Sequence, residues 1–160
     1  MPTPIRSTTL ASIESGPELP KHRFLLFGVA GRLCACDLDA VREIVPARTA
    51  TRLPGAPAWV CGLINLRGTL LTVIDLAARF GEQGAVMRMI IVAEGAGKKL
   101  GLGVDAVRDV DAVNDDGLET VDEQRSAGGI VRGLARVGAG RTEIALVCDV
   151  DAIARQALLL

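Results

Sequence analysis

The chain has 160 residues, of which 49% are hydrophobic, 2% are aromatic and 23% are charged, and its formal net charge is -1. This length allows one ordinary domain or two very small ones that share a core, and the hydrophobic fraction excludes an intrinsically disordered chain. Acids and bases are interspersed, which excludes nucleic acid as the main partner because phosphate binding needs a clustered positive field.

The N-terminal residues 1–22 begin "MPTPIRSTTLASIESGPELP" and are rich in Pro, Ser and Thr. This composition predicts a flexible arm. The arm has no apolar stretch long enough for a signal peptide, and the chain has no run of about 18 uncharged apolar residues that could span a bilayer. We therefore expect a cytoplasmic protein without direct membrane insertion.

From residue 23 onward the apolar residues come in short runs bounded by Gly, Pro or charged residues. Such runs predict buried β-strands; they read "FLLFGV", "LCACDL", "WVCGLINL", "LLTVIDL", "MIIVAE", "LGLGV", "IVRGLARV" and "IALVCDV". Helical periodicity is confined to "DAVREIV" at 39–45, "DLAARFG" at 75–81 and the C-terminal "DVDAIARQALLL". The residues thus predict an all-β protein with short helices.

The chain repeats itself. "DAVREIV" at 39–45 returns as "DAVRDVD" at 105–111, sixty-six positions later, and two further segments recur in the same order. These are "WVCGLINL" with "IVRGLARV", and "LLTVIDLAARF" with "IALVCDVDAIA". The offset grows only where loops are expected, so the pattern predicts an internal duplication.

The duplication predicts two pseudo-symmetric halves with five short strands each. Five strands suit a small closed barrel, which leaves no exposed sheet edge. Each barrel would be marginally stable alone, so we expect the two to pack together along an apolar seam. The expected boundaries are a first barrel at about 23–81, a second at about 87–155 and a short C-terminal helix, all within one domain at 23–160.

The residues indicate neither catalysis nor a cofactor or metal. The only histidine, His22, lies at the edge of the arm and is a poor general base. Cys34 and Cys36 lack further soft ligands and are expected to be small buried hydrophobic residues. Asp75 and Asp149 precede predicted helices, which favours N-capping over acid–base chemistry. "EGAGKKLG" at 94–101 predicts a hairpin turn, since it separates two strands.

Two segments carry a family resemblance. "TRLPGAPAWVCGLINLRGTLLTVIDLAARFG" at 51–81 resembles the core signature of the CheW family of bacterial chemotaxis adaptors. "LGLGVDAVRDV" followed by "IVRGLARV" resembles the matching pattern of the second half. The resemblance covers about residues 22–155 and implies two pseudo-symmetric, five-stranded SH3-like β-barrels.

The resemblance also implies a function and a binding site. It implies a non-catalytic adaptor that couples the cytoplasmic tips of chemoreceptors (methyl-accepting chemotaxis proteins) to the regulatory domain of a CheA-type histidine kinase. Carried over by position, the groove for the receptor hairpin is lined by Val41, Glu43 and Met89. Arg67 lies nearby, and we expect it to form an ion pair with Glu43 at the groove.

Two alternatives stay open. A regulatory or decoy CheW-like protein would bind the kinase without joining a receptor array. A small-ligand-binding protein is less favoured, because the chain has one histidine and few aromatic residues. Small-molecule pockets usually combine an apolar lining with convergent polar groups. The sequence does not distinguish swimming from pilus-driven motility or another signalling pathway.

Overall fold

Residues 21–157 are described by the structure, which is a computed structural model. Most of the predicted arm lies outside the described residues. Its last member, His22, is the first residue of a β-strand, and its Nε2 lies 2.7 Å from Oδ1 of Asp115. His22, which the predicted boundary places in the arm, is therefore part of strand β1.

Eleven strands and two short helices lie within the described residues. The strands are β1 (His22–Val29), β2 (Arg32–Asp37), β3 (Val41–Pro46), β4 (Val60–Leu66), β5 (Thr69–Asp75), β6 (Met89–Gly95), β7 (Lys98–Val104), β8 (Ala106–Val113), β9 (Leu118–Thr120), β10 (Val131–Val137) and β11 (Glu143–Cys148). The helices are α1 (Leu76–Arg79) and α2 (Val150–Ala157). The predicted all-β class with short helices is confirmed.

The strands form two sheets, and the two halves of the chain exchange strands between them. One sheet has the order β8-β1-β2-β11-β10-β9 and the other β3-β6-β7-β5-β4. The first hairpin, β1–β2, thus belongs with strands of the second half, and the hairpin β6–β7 belongs with strands of the first half. The predicted barrel boundaries at 23–81 and 87–155 are therefore wrong, because hydrogen bonding joins strands across the two halves.

Each sheet curls around a core of its own. Val45 of β3 and Ile64 of β4 come from opposite edges of the five-stranded sheet and lie in one buried cluster. In the six-stranded sheet, Val113 of β8 and Val137 of β10 share a cluster against which Leu118 of β9 packs. Edge strands that share a core indicate that the sheet is rolled up. We call the two units the five-stranded and the six-stranded barrel.

The predicted apolar seam lies between the two barrels. Its cluster joins Leu25 and Phe27 of β1 to Ile91 of β6, Leu102 of β7 and Ile153 of α2. The alternate residues of β1, Phe24 and Leu26, face the six-stranded core instead. Because β1 is buried on both faces, its sequence is a continuous apolar run rather than an alternating one.

Turns and caps follow the local sequence. Ala96 and Gly97 of "EGAGKKLG" have φ of 50° and 74° and join β6 to β7, so the predicted hairpin turn is confirmed. Oδ1 of Asp75 accepts a hydrogen bond from the Ala78 N–H at 3.2 Å, and Oδ1 of Asp149 accepts one from Ala152 at 3.0 Å. Both aspartates are therefore N-caps, as predicted.

The helix predicted at 39–45 is wrong. Only Leu38–Ala40 forms a short 3-10 turn, and β3 follows from Val41. The β-branched residues of "VREIV" favour a pleated strand, and pairing with β6 decides the conformation. The second copy of the motif likewise begins a strand, β8.

Candidate functional site

A β-bulge in β3 separates the two site residues predicted on that strand. Val41 lies opposite Ala93 and Glu43 lies opposite Val92, with a register shift between them. Ala93 belongs to the seam, whereas Val92 belongs to the five-stranded core. Since directly opposite side chains share a face of the sheet, Val41 is on the seam side and Glu43 is on the side of the barrel interior.

Glu43 and Arg67 form the predicted ion pair, with two parallel hydrogen bonds. Arg67 Nη1 donates to Glu43 Oε2 at 2.6 Å, and Arg67 Nη2 donates to Oε1 at 2.8 Å. Arg67 occupies the turn between β4 and β5 with φ of 52°, a left-handed conformation that is uncommon for a residue with a Cβ. Gly68 follows with φ of 85°, and its N–H donates to Asn65 Oδ1 at 2.8 Å.

The pair has an electrostatic signature. The hydrogen bonds and charge of Arg67, helped by Lys99 and Arg48, lower the pKa of Glu43 below its ordinary value. The same hydrogen bonds raise the pKa of Arg67. Because 71% of the Arg67 side chain and 32% of the Glu43 side chain remain exposed, the pair is screened by solvent. It therefore fixes the direction of two charged groups more than it stabilises the fold.

The ion pair borders a small cleft at the mouth of the five-stranded barrel. The cleft has a volume of about 200 Å³ and a partly apolar lining from Leu66, Leu71 and Val92. Arg42 and Lys99 lie at the same cleft. Arg42 is itself held by Glu94, with Nη2 donating to Oε2 at 2.7 Å. The arrangement suits a partner side chain that is apolar at its base and acidic at its tip.

Val41 and Met89 lie on the other face of the same edge. Both are half-buried and pack against the seam cluster. Ile44, opposite Ile91, shares this face and is 39% exposed. The structure thus brings Glu43 together with Arg67. Val41 and Met89 share the opposite face but lie at the two ends of the β3–β6 pair, since Val41 is opposite Ala93 and Met89 is opposite Pro46. Because β3 is the edge strand of its sheet, one partner could reach both faces.

Five large apolar side chains of the described residues are exposed, and none of them is distinguished by the sequence alone: Ile44, Leu70, Val86, Val110 and Ile144. Leu70 is 67% exposed on β5 and Ile144 is 55% exposed on β11. They occupy equivalent positions of the duplication, seventy-four residues apart. The apolar runs that contain Leu70 and Ile144 both predict buried strands. Only the pairing register shows that these two side chains point outward. The duplication is the sequence signal that indicates their equivalence.

These two residues mark equivalent outward faces on the hairpins β4–β5 and β10–β11. The register of the first hairpin places the Leu70 face on Leu63, Asn65, Leu70 and Thr72. The register of the second places the Ile144 face on Leu134, Arg136, Ile144 and Leu146. The interior positions between them, such as Leu71 and Ala145, are buried.

The cysteines are structural. Cys34, Cys36 and Cys148 are buried, and burial raises the pKa of Cys36 to about 12. Burial also raises the pKa of Cys61 to about 11. Thiols held protonated in this way are poor nucleophiles and poor metal ligands. Among residues 21–157, no group of three or more His, Cys, Asp or Glu side chains is arranged to hold a metal ion.

None of the helices in the described part of the chain is long and apolar enough to cross a membrane. The candidate site itself is a surface with a fixed ion pair, a shallow cleft and an adjacent apolar edge. Such a surface is suited to binding a protein partner rather than to turnover.

Comparison with known proteins gives a consistent result. The family model described as CheW-like domain matches residues 23–158. The chemotaxis protein CheW of Rhizobium meliloti (strain 1021) is 41% identical over 97 residues, which cover 59% of this chain and 63% of that protein. The chain thus spans less than two thirds of that relative. The chemotaxis protein CheW of Bacillus subtilis (strain 168) is 32% identical over 117 residues, 71% of each chain.

A solved structure has the same fold. The crystal structure of the scaffolding protein TtCheW from Thermoanaerobacter tengcongensis matches with a TM-score of 0.74 and 29% identity. The match covers 82% of this chain and 90% of that one.

Proposed function

This chain belongs to the CheW-like domain family of non-catalytic chemotaxis scaffold proteins, and from that premise we propose that it couples the cytoplasmic tips of chemoreceptors to a CheA-type histidine kinase. It works by binding both partners in a fixed geometry, in the cytoplasm beneath the receptor array. The observation that carries the proposal is the bidentate pair of Arg67 and Glu43 beside an apolar edge strand.

The receptor contact is assigned to the edge formed by β3. A helical hairpin presents apolar residues at i, i+3, i+4 and i+7, which suit the surface of Val41, Ile44 and Met89. The ion pair lies across the same strand and would set orientation and association rate. Arg67 has a left-handed backbone conformation, and its guanidinium donates two hydrogen bonds to Glu43. A side chain preorganised in this way suits recognition.

The kinase contact is assigned to the barrel surfaces. The Leu70 and Ile144 faces each expose a large apolar side chain on a rigid hairpin, which is the expected character of an interface centre. A regulatory domain that resembles two such barrels would meet them barrel to barrel.

The decisive experiment measures binding of this chain to a CheA regulatory domain and, separately, to a receptor hairpin by isothermal titration calorimetry. We expect both to bind. The absence of both interactions at high micromolar concentration would overturn the proposal. Kinase binding without receptor binding would instead support the regulatory or decoy alternative.

Glu43→Arg tests the receptor site. We expect receptor affinity to fall roughly ten- to hundredfold, the size of an interface hot spot, with an unchanged thermal midpoint. The matched control is Glu143→Arg, which breaks the similarly exposed bidentate pair with Arg108 in the other half. The control should leave receptor affinity unchanged. An equal loss in both variants, or unfolding of Glu43→Arg, would contradict the site.

A small-ligand function is tested by a thermal-shift screen against metabolites. We expect no strong stabilisation, because the clefts lined by described residues are small and open. A large shift with one metabolite would favour the ligand-binding alternative over the adaptor.

A further inference from the structure

An arginine joins segments of the two barrels beside the apolar seam. Arg79 ends α1, which follows β5 of the five-stranded barrel, and its Nη2 donates to Gln156 Oε1 at 2.6 Å and to the Gly128 carbonyl oxygen at 3.3 Å. Gln156 lies on α2 after β11, and Gly128 precedes β10, so both follow or precede strands of the six-stranded barrel. Gln156 Nε2 also donates to the Gly128 carbonyl oxygen, at 2.8 Å. We call Arg79, Gln156 and Gly128 the Arg79 cluster.

The backbone around Gly128 has an unusual conformation that presents its carbonyl oxygen to this cluster. Ala127, Gly128 and Gly129 have φ of 51°, 73° and 92°, three left-handed residues in a row. A left-handed alanine is uncommon, and such backbone strain is often found at functional positions. A Cβ on Gly128 would lie 2.6 Å from Arg79 Nη2, so the close approach of the guanidinium requires glycine.

The duplication indicates that packing alone does not require a polar contact here. Trp59 is equivalent to Ile130 in the repeat, and Arg79 is equivalent to Ile153. Both isoleucines are buried in the seam cluster. In the first half the Arg79 guanidinium lies over the Trp59 ring instead, with Cζ 5.4 Å from the ring centroid.

The arginine also has a cost that the isoleucine pair avoids. Arg79 Nε is buried and has no hydrogen-bond partner among residues 21–157. A buried donor without a partner is unfavourable. A residue that breaks a packing rule in one copy of a duplication, where the other copy follows the rule, indicates a role beyond packing.

That role follows from the difference between apolar and polar contacts. Burial of apolar surface is non-directional, so the seam holds the barrels together without by itself fixing the angle between them. Hydrogen bonds restrict both distance and direction. Another contact between the barrels, the ion pair of Arg32 and Glu82 at 2.9 Å, is 42% and 45% exposed, and such pairs contribute little. The half-buried Arg79 cluster is the stronger directional contact.

We propose that Arg79 is a positioning residue that fixes the angle between the two barrels through Gln156 and the Gly128 carbonyl oxygen. The β3 edge assigned to the receptor belongs to the five-stranded barrel, and the Ile144 face assigned to the kinase belongs to the six-stranded barrel. The angle therefore sets the geometry in which the two partners are held. This inference rests on the proposed function, because the angle matters only if both barrels carry a partner.

Residual dipolar couplings of the backbone N–H groups measure the relative orientation of the barrels in solution. We expect the couplings of the full wild-type chain to fit one alignment tensor for both barrels. Arg79→Met removes the guanidinium but keeps a long unbranched side chain against Trp59. Its couplings should require a separate tensor for each barrel, because the barrels then move relative to each other.

The kinase activity of a complex reconstituted from receptor, this chain and a CheA-type kinase tests the consequence. Arg79→Met should bind the receptor hairpin and the kinase regulatory domain separately with unchanged affinity. The kinase activity of the complete complex should nevertheless fall about ten- to hundredfold, the usual size of coupling between two sites. A residue that only stabilises packing would lower the thermal midpoint without separating binding from activity in this way.

Arg32→Met is the matched control. Arg32 also lies over an aromatic ring, with Cζ 5.5 Å from the Phe80 centroid, and it also joins the two barrels through Glu82, but in an exposed pair. This variant should keep one alignment tensor and wild-type activity. Gln156→Ala removes the acceptor of Arg79 and leaves α1 unchanged. It should act in the same direction as Arg79→Met, and it decides the question if Arg79→Met unfolds.

Wild-type couplings or wild-type kinase activity in both Arg79→Met and Gln156→Ala would overturn the proposal. So would equal losses in Arg32→Met, or a loss of affinity for one partner that accounts for the lost activity, since Arg79 would then be a contact residue. If the wild-type chain binds neither partner, the adaptor function fails, and the dipolar couplings alone decide whether Arg79 fixes the angle.

Discussion

The two halves of the chain each pair an arginine of a hairpin turn with an acid of an edge strand, and the two ion pairs differ in their surroundings. In each, an arginine with left-handed φ in a hairpin turn binds an acid on an edge strand: Arg67 binds Glu43, and Arg141 binds Asp111. Among the described residues, the Glu43 carboxylate accepts hydrogen bonds from Arg67 only, whereas that of Asp111 accepts the Gly138 N–H at 2.8 Å as well as Nη1 of Arg141.

The difference separates a structural corner from an accessible one. The Asp111 side chain is 26% exposed, and Arg141 Nη2 donates to the Ala112 carbonyl as well, so this pair ties a turn to a strand. The Arg67 side chain is 71% exposed and, within residues 21–157, donates only to the carboxylate of Glu43. Arginines at equivalent positions of the duplication, seventy-four residues apart, thus bind a partly buried acid in one half and form an exposed ion pair in the other.

The largest expected effect concerns the glycine of the repeated V-x-G-L motif, which is also unequal in the two halves. A Cβ on Gly62 would lie 2.0 Å from the Thr51 carbonyl oxygen, and Gly62 has φ of 134°. A Cβ on Gly133 would lie 2.8 Å from the Glu119 oxygen, with no such φ. Gly62→Ala should cost more than about 3 kcal/mol of unfolding free energy, and Gly133→Ala about 1 to 3.

Urea denaturation of both variants measures this difference. Equal losses would show that the φ strain at Gly62 is relieved by movement of the Thr51 segment, and the two barrels would then be less different than their geometry indicates.

The two acids give the next largest effect. Asp111→Ala should lower the unfolding free energy by about 1 to 2 kcal/mol, because it leaves the Gly138 N–H and Nη1 of Arg141 without their shared acceptor. Glu43→Ala should leave the thermal midpoint almost unchanged while weakening receptor binding. Thermal melts and titration calorimetry on the same samples check both halves of the comparison. A stability loss for Glu43→Ala that matches Asp111→Ala would contradict it.

The smallest effect is the pH and salt dependence of these two contributions. Burial raises the pKa of Asp111, but hydrogen bonds from Gly138 and Ala112 and the charge of Arg141 outweigh it, so the pKa lies below the ordinary 3.8. A lowered folded-state pKa stabilises the fold above the unfolded value and loses that stabilisation as pH falls. The stability difference between wild type and Asp111→Ala should therefore shrink below about pH 4.

Added salt distinguishes the two sites further. Any small contribution of Glu43 should vanish at high salt, whereas that of Asp111 should persist through its backbone hydrogen bond. Denaturation at two salt concentrations measures this. If the contribution of Asp111 to the unfolding free energy disappears at high salt, the contribution comes from its charge alone and not from its backbone hydrogen bond.

Particular residues show what could be predicted. Asp75 and Asp149 were predicted as N-caps because capping depends on a few neighbouring residues. Glu43 and Arg67 were paired only through the family resemblance, since nothing local joins residues twenty-four positions apart. Ile44 was missed because "DAVREIV" fits a helix period, and the pairing of β3 with β6 overrides that local preference. The function of the predicted site residues stays a prediction.

The sequence by itself determined the β class, the duplication, the caps and the turns, because these follow from apolar period and from side chains close in the chain. Only the tertiary structure decided which strands pair. An apolar run indicates that a strand is buried, but it does not indicate which strand pairs with it. The exchange of hairpins between the two halves therefore could not be predicted from the sequence. The same reason applies to the two faces: "LLTVIDL" and "IALVCDV" predict strands, and only their register places Leu70 and Ile144 outward.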